Sequence, residues 1–323
     1  MSSFTKSVCF MLFALSVVQG RVLQGTSSGK PSSPSKVNFV TPVIKKGTST
    51  FHNASVSGKD DPYGQGPIYY WGGPTMPGTL SVYVIFYGTF STFGKGLLQD
   101  YLRHVGGSTW WQLAQQYGVG TVHLGGYAHL PVTSTLLTTG DIQNIVTSTI
   151  DAQAGSWQNV GNGGGSAADV YFVITDKTVD QSDNGAGNGF CSVYCGWHGH
   201  MAYNNKDIKY AWVGSPVRCP GVVGYSSCSE LNPDSSDSPN GEFEIDGIVN
   251  VFSHELAETA SDPMLNAWYN QYGWENADMC NWDWGTYYVG TATNPNGFWN
   301  ERIGTHRYLI QENWNLATQT CSN

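Results

Sequence analysis

The chain has 323 residues, with 15 basic and 24 acidic side chains and a formal net charge of −9 at pH 7. Seven of the basic residues and only one acid fall within the first 60 positions, which leaves 8 basic and 23 acidic residues, a net charge of −15, for the remainder. An acidic surface repels phosphate backbones, so this composition argues against nucleic acid as a partner.

The first 60 residues differ in character from the rest of the chain. Residues 1–20 have the pattern of a secretory signal peptide, with Lys6 followed by an apolar run from Val8 to Val18. The run is shorter than the roughly 20 apolar residues that cross a bilayer, so we expect a secreted, extracellular protein without a membrane span. Residues 21–60, rich in Ser, Thr, Gly, Pro and Lys, are predicted to be a flexible tail or a removable pro-segment. Asn53 begins an N-glycosylation sequon, which predicts a glycoprotein.

Residues 61–323 contain no visible linker and are predicted to form one domain. Patterns of β-branched and aromatic residues predict strands at Leu80–Tyr87, Thr121–Tyr127, Asp169–Thr175 and Lys209–Val213. Helical spacing of apolar residues predicts helices at Phe93–His104, Trp110–Tyr117 and Asp141–Ala154. The alternation of strands and helices indicates an α/β single-domain sandwich built on a mixed sheet.

The most informative stretch runs from Val249 to Pro263 and is predicted to form one helix that ends at the proline. Its His254 and Glu258 are four residues apart and therefore lie on one face, while Glu255 lies about 100° around the axis. The zinc-protease signature HExxH has the same arrangement, with two metal ligands and a glutamate general base. Here Glu258 replaces the second histidine, and a carboxylate oxygen can also bind zinc. The helix is therefore predicted to be a central, zincin-like metal helix.

Two acids downstream could complete a metal site. Glu275 and Asp278 are three residues apart and lie 17 and 20 residues beyond Glu258, and either could be the third ligand. Such a set would leave a fourth position for water on a catalytic Zn²⁺. The alternative is a solvated helix face followed by a charged turn. Against it, the helix is otherwise apolar, and unpaired charges in a buried helix would be costly.

A second candidate group surrounds His198, which follows two cysteines and lies between two glycines in Phe190–His200. In a small disulfide loop His198 could be a further ligand or a donor to a developing oxyanion. The alternative is a structural histidine hydrogen-bonded in a loop.

Six cysteines follow the signal sequence, and an even number in a secreted chain predicts disulfides. Six cysteines allow 15 connectivities. Pairing of neighbours is the simplest hypothesis: Cys191–Cys195, Cys219–Cys228 and Cys280–Cys321. A cysteine zinc site is the competing interpretation.

The chain resembles a known family in several motifs that occur in the same order. They are YFVIT at 171–175, FCSVYCGWHG at 190–199, YAWVG at 210–214, CPG at 219–221 and IDGIV at 245–249. These motifs resemble the EXORDIUM, or phosphate-induced protein, family of plants. The resemblance implies an extracellular, cell-wall-associated protein without an assigned catalytic activity.

The central helix departs from the plant pattern. The sequence H-E-x-x-E-x-x-x-D-P, followed by a tryptophan and then by Glu275, Asp278 and Cys280, is similar to that of microbial relatives. This similarity implies a metal-dependent hydrolase.

Two functions remain open at this point. The first is a secreted zinc-dependent hydrolase, a peptidase acting on a peptide or protein. In it His254, Glu258 and Asp278 or Glu275 hold the metal, Glu255 is the general base and His198 stabilises the oxyanion. The alternative is a non-catalytic extracellular protein that binds a cell-wall or matrix glycan, suggested by the many aromatic residues. A structural metal without turnover is a third, related alternative.

Overall fold

The computed structural model describes residues 37–40, 67–154, 156–157, 169–220, 226–231, 237–290 and 297–323. The predicted signal peptide, the Asn53 sequon and most of the predicted tail lie outside these residues. Within that tail, the four residues Val37–Val40 form a strand. Among the described residues, no helix is both long and apolar enough to cross a membrane.

The fold contains four α-helices among the described residues: α1 Thr92–His104, α2 Thr109–Gln115, α3 Thr139–Ala152 and α4 Phe243–Ser261. Short 3₁₀ turns occupy Val105–Gly107, Pro216–Arg218 and Asp278–Cys280. The longer strands are β1 Val37–Val40, β3 Leu80–Tyr87, β4 Val122–Leu130, β6 Asp169–Thr175, β8 Gly189–Tyr194, β9 Gly196–Tyr203 and β10 Lys206–Gly214.

Short strands make up the rest of the β-structure. They are β2 Tyr69–Tyr70, β5 Leu136–Leu137, β7 Asp180–Gln181, β11 Trp268–Tyr269, β12 Tyr288–Val289, β13 Phe298–Trp299, β14 Glu301–Ile303, β15 His306–Tyr308, β16 Asn313–Asn315 and β17 Thr320–Ser322. They form small two-stranded pairs, one of which joins β2 to β11.

The central element is a six-stranded mixed sheet with the strand order β1-β9-β10-β6-β3-β4. Strands β10, β6, β3 and β4 are parallel, whereas β9 is antiparallel to β10 and β1 is antiparallel to β9. All eight residues of β3 are buried, as expected for a central parallel strand covered on both faces. The mixed sheet agrees with the prediction from the alternating strands and helices.

Helices α3 and α4 cover opposite faces of this sheet. Phe172 of β6 packs against Phe252 of α4, with ring centroids 4.0 Å apart. Its neighbour Tyr171 is paired in register with Tyr210, whose hydroxyl accepts a hydrogen bond from Gln143 of α3. Successive residues of a strand point to opposite faces, so the two contacts place the helices on either side of the sheet. The result is a three-layer α/β sandwich.

Two of the three predicted disulfides are wrong. Cys191 pairs with Cys219 and Cys195 pairs with Cys228, whereas the predicted Cys280–Cys321 bond is confirmed. Extended residues four apart are separated by about 13 Å, and a disulfide needs Cα atoms about 5.5 Å apart. Cys191 lies in β8 and Cys195 directly follows it, so these two cannot pair with each other.

Candidate metal centre

Helix α4 brings its charged side chains into the interior of the protein. Every residue from Ile245 to Ser261 is buried, because the helix lies between the sheet and helices α1 and α2. Gly196 of β9 permits close packing there, since a Cβ at this position would lie 2.7 Å from Val251 Cγ1. On the other side, the Tyr101 hydroxyl of α1 and Ser253 of α4 share a buried hydrogen bond of 2.7 Å. The acids of α4 therefore do not form a solvated face.

His254, Glu258 and Asp278 come together in one buried group. The His254 Nε2 atom lies 3.1 Å from Glu258 Oε1 and 3.4 Å from Asp278 Oδ1. One ligand atom of each residue lies within 4.8 Å of the other two. The Asp278 backbone N–H also donates to Glu258 Oε1, over 2.9 Å, which fixes the turn that carries Asp278 against α4.

Gln311, which the sequence analysis did not identify, orients the His254 ring. Its Oε1 lies 3.1 Å from His254 Nδ1, so Nδ1–H donates to it and Nε2 faces the two carboxylates. Gln311 is itself held, since its N–H donates to Asn250 and its Nε2 donates to the Ala277 carbonyl. A hydrogen-bonded partner of this kind is usual behind a metal-binding histidine. At 57 residues from His254, Gln311 has no local sequence signal that links it to the site.

His198 belongs to the same cluster and approaches from β9. It is paired in register with Ala211, which is itself paired with Phe172, so it faces α4. His198 Nδ1 lies 3.0 Å from Glu255 Oε2 and 3.6 Å from Glu258 Oε2.

Glu275, the alternative third ligand, lies near His198 rather than near His254. Its Oε1 is 3.7 Å from His198 Nε2. Asp278 is the acid that meets His254 and Glu258, and the Glu275 backbone N–H donates to Asp278 Oδ2 over 3.1 Å.

The cluster brings several ionisable side chains close together in the buried interior of the protein. The six side chains of His198, His254, Glu255, Glu258, Glu275 and Asp278 are each at most 2% exposed. Burial and the neighbouring Asp278 charge raise the pKa of Glu258 from 4.5 to about 7, against the opposing effect of His254. Burial lowers the pKa of His254, but Glu258 and Asp278 outweigh it and raise that pKa well above 6.5.

The donor set fits a transition-metal ion such as zinc. Zinc bonds of about 2.1 Å in a tetrahedral site place the ligand atoms about 3.4 Å apart, and His254 Nε2 lies 3.1 and 3.4 Å from the two carboxylate oxygens. Among the described residues, His254 Nε2 and Asp278 Oδ1 are buried without a hydrogen bond. A metal ion would satisfy these atoms.

The predicted catalytic roles of Glu255 and His198 require side chains that a substrate can reach. Glu255 Oε2 instead faces His198 Nδ1, and both side chains are fully buried. In this conformation a peptide carbonyl cannot approach either residue.

A second feature lies on the surface, where β2 pairs with β11. We call the five residues Tyr69, Tyr70, Trp71, Trp268 and Tyr269 the aromatic platform. Tyr69, Tyr70 and Trp71 are 47%, 55% and 53% exposed. Trp71 stacks on Tyr269 with ring centroids 5.3 Å apart, and its indole N–H donates to the Tyr269 carbonyl.

Comparison with known proteins identifies relatives over most of the chain. A family model described as "Phosphate-induced protein 1 conserved region" matches residues 68–323. Protein EXORDIUM-like 3 of Arabidopsis thaliana is 28% identical over 295 residues, covering 79% of this chain and 82% of its own length. Protein EXORDIUM-like 5 of the same plant is 29% identical over 307 residues, with 79% and 77% covered. Protein PHOSPHATE-INDUCED 1 of Nicotiana tabacum is 26% identical over 292 residues, with 79% and 87% covered. No solved structure is significantly similar to this chain.

Proposed function

The chain belongs to the phosphate-induced protein 1, or EXORDIUM, family, and we propose that it is an extracellular, non-catalytic protein that binds a matrix glycan through the aromatic platform. The three disulfides support an oxidising, extracellular environment. The microbial-type branch suggested by the H-E-x-x-E motif stays a prediction.

The observation that carries this proposal is the exposure of rigid aromatic rings. Large apolar side chains gathered on a surface are typical of interaction sites. Aromatic faces pack on the C–H faces of sugar rings, while tyrosine and tryptophan retain a polar group for the hydroxyls. Tyr70 is held by a hydrogen bond to the Gly73 carbonyl and by contact with Trp268, and Trp71 is held by Tyr269. Rings fixed before binding lose little conformational entropy on binding.

We propose that a Zn²⁺ ion held by His254, Glu258 and Asp278 supports this surface. The segment between Glu258 and Asp278 carries Trp268 and Tyr269. A metal joining the two ends of the segment would therefore limit the movement of the platform. The ion would act as an internal cross-link. The similarity of α4 to the metal helix of zinc proteases would then lie in its metal ligands and not in catalysis.

The proposal is tested by pull-down with insoluble cellulose, chitin and a β-1,3-glucan, with wild type and Trp71→Ala. We expect the variant to bind its glycan at least about 5-fold more weakly, since a stacked aromatic anchor contributes roughly 1–3 kcal/mol. Tyr288→Ala is the matched control, because Tyr288 is 56% exposed and also stacks on a neighbour, Trp299, but lies outside the platform. Equal binding by wild type and Trp71→Ala would contradict the proposal, as would the absence of binding to every glycan.

Hydrolysis is the second candidate, because Glu255 adjoins the proposed zinc ligands. The carboxylate would take a proton from a water whose pKa the ion lowers, and His198 would donate to the oxyanion. Both groups are buried, so this function requires the cluster to open toward solvent. Cleavage of a peptide library by zinc-loaded wild type but not by Glu255→Gln would establish it. Equal cleavage by both proteins, or none by either, would exclude this mechanism.

A further inference from the structure

The buried cluster contains two sets of metal-binding side chains that share one residue. His254, Glu258 and Asp278 form one set, and His198, Glu255 and Glu258 form the other. We propose that the centre is binuclear, with a second divalent ion held by His198 and Glu255 and with Glu258 bridging the two ions. The inference rests on the proposed zinc site and extends it.

The two oxygens of Glu258 face different histidines. Oε1 lies 3.1 Å from His254 Nε2, and Oε2 lies 3.6 Å from His198 Nδ1. The second set has the spacing of the first, since His198 Nδ1 is also 3.0 Å from Glu255 Oε2. These separations are close to the roughly 3.4 Å between donors of a tetrahedral zinc ion. A carboxylate that binds one ion with each oxygen suits the separation of about 3.5–4 Å in two-metal sites.

The buried charge also matches two ions. Glu255, Glu258, Glu275 and Asp278 are at most 2% exposed and would carry four negative charges when ionised. One divalent ion would balance two of these charges, and two ions would balance all four. Buried charges are tolerated when they are paired or coordinate a metal. Glu258 Oε2, buried without a hydrogen bond among the described residues, is the atom that a second ion would satisfy.

Each of the two histidines turns one ring nitrogen toward the carboxylates of the cluster and the other toward a further buried oxygen. His254 directs Nε2 toward Glu258 while its Nδ1 faces Gln311 Oε1 at 3.1 Å. His198 Nδ1 lies 3.0 Å from Glu255 Oε2 and 3.6 Å from Glu258 Oε2. Its Nε2 lies 3.7 Å from Glu275 Oε1, close enough for an ion pair but beyond hydrogen-bond distance. An acceptor behind a metal-binding imidazole holds the ring orientation and raises its basicity. In this arrangement Glu275 is a positioning residue for His198 rather than a ligand. The chemistry of two histidines with several carboxylates suits Zn²⁺ and Mn²⁺.

Metal stoichiometry tests the proposal. The full chain is loaded with Zn²⁺, desalted and analysed by elemental mass spectrometry, and we expect two ions per chain. Glu255→Gln and His198→Gln should each retain one ion. Glu244→Gln is the matched control on the same helix, because Glu244 bonds to Ser215 outside the cluster, and it should retain two.

The possible results separate the two proposals. One ion per chain in wild type, unchanged in His198→Gln, would refute the second site and leave the first intact. No ion in wild type would refute both. If the variants fail to fold, anomalous diffraction at the zinc edge from wild-type crystals decides: two peaks about 3.5–4 Å apart support the bridge, and a single peak refutes it.

Discussion

Removal of the metal is the most direct perturbation of the proposed centre. We expect a chelator to destabilise the zinc-loaded protein, because the buried carboxylates then lose the divalent ion and are compensated only in part by His254, 3.1 and 3.4 Å away. The effect should depend on pH, since Glu258 can take up a proton when the metal is absent. The pKa of Glu258 lies at about 7 in the folded metal-free protein, raised by burial and by Asp278 above its ordinary value of 4.5.

The magnitude follows from the separation of the acids. The candidate ligand atoms of Glu258 and Asp278 lie within 4.8 Å. Two like charges at that distance repel by about 3.5 kcal/mol at an effective dielectric constant of about 20. A domain of this size loses roughly 2 °C of melting temperature per kcal/mol, and His254 offsets part of the repulsion, so chelation at pH 8 should lower Tm by up to about 7 °C.

The pH dependence has a definite sign. Because the folded pKa of Glu258 is raised, its contribution to the stability of the metal-free protein is complete below 4.5 and lost as pH rises through about 7. The stability of the metal-bound form instead falls as pH decreases, since the ligands must be deprotonated to bind the ion. The fall in Tm caused by chelation should therefore be larger at pH 8 than at pH 5.5.

Differential scanning fluorimetry of zinc-loaded protein, with and without a chelator, measures this effect. Glu258→Gln should lose most of the response to the chelator, whereas Glu244→Gln, on the same helix but outside the cluster, should retain it. A wild-type Tm that does not change although elemental analysis shows that the zinc has left would refute the reasoning.

Three further predictions concern other parts of the molecule. Gln311→Met should weaken zinc binding by about 10–100-fold, as measured by competition with a chelating dye, because the variant no longer accepts from His254 Nδ1–H; an unchanged affinity would contradict this role. Phe252→Ala should lower the free energy of unfolding in urea by about 3–5 kcal/mol, because it removes a buried ring that contacts Phe172; a loss below about 1 kcal/mol would refute the packing described. Burial raises the pKa of Asp246 from 3.8 to about 6, so the stability of wild type relative to Asp246→Asn should fall by about 2.4 kcal/mol between pH 4 and pH 8; a pH-independent difference would contradict this shift.

Much of the fold was accessible from local patterns. The strands at Leu80–Tyr87 and Asp169–Thr175 have the predicted bounds, because continuous β-branched and aromatic runs are typical of buried parallel strands. The predicted helix at Asp141–Ala154 begins earlier, at Thr139, because Thr138 accepts from the Asp141 N–H and caps the helix. Such patterns depend only on neighbours in sequence.

What the sequence could not supply depends on contacts between distant residues. The sequence pattern predicts a small disulfide loop around His198, whereas this residue lies in β9 between β1 and β10. Its glycine-rich surroundings hide the strand, because Gly196 serves close packing on α4 rather than a turn. Gln311 and the pairing of Cys191 with Cys219 likewise follow from the folded topology alone. The family resemblance is confirmed, but it did not indicate this arrangement.

The disulfides have a bearing on how the metal cluster is assembled. His198 lies three residues after Cys195, and Asp278 lies two residues before Cys280. Both cysteines are covalently bonded, so each ligand of the proposed centre that comes from outside α4 sits beside a fixed point of the chain. We expect oxidation to favour metal uptake, because the disulfides fix the two segments that carry these ligands. A reduced chain that takes up zinc as well as the oxidised one would contradict this link.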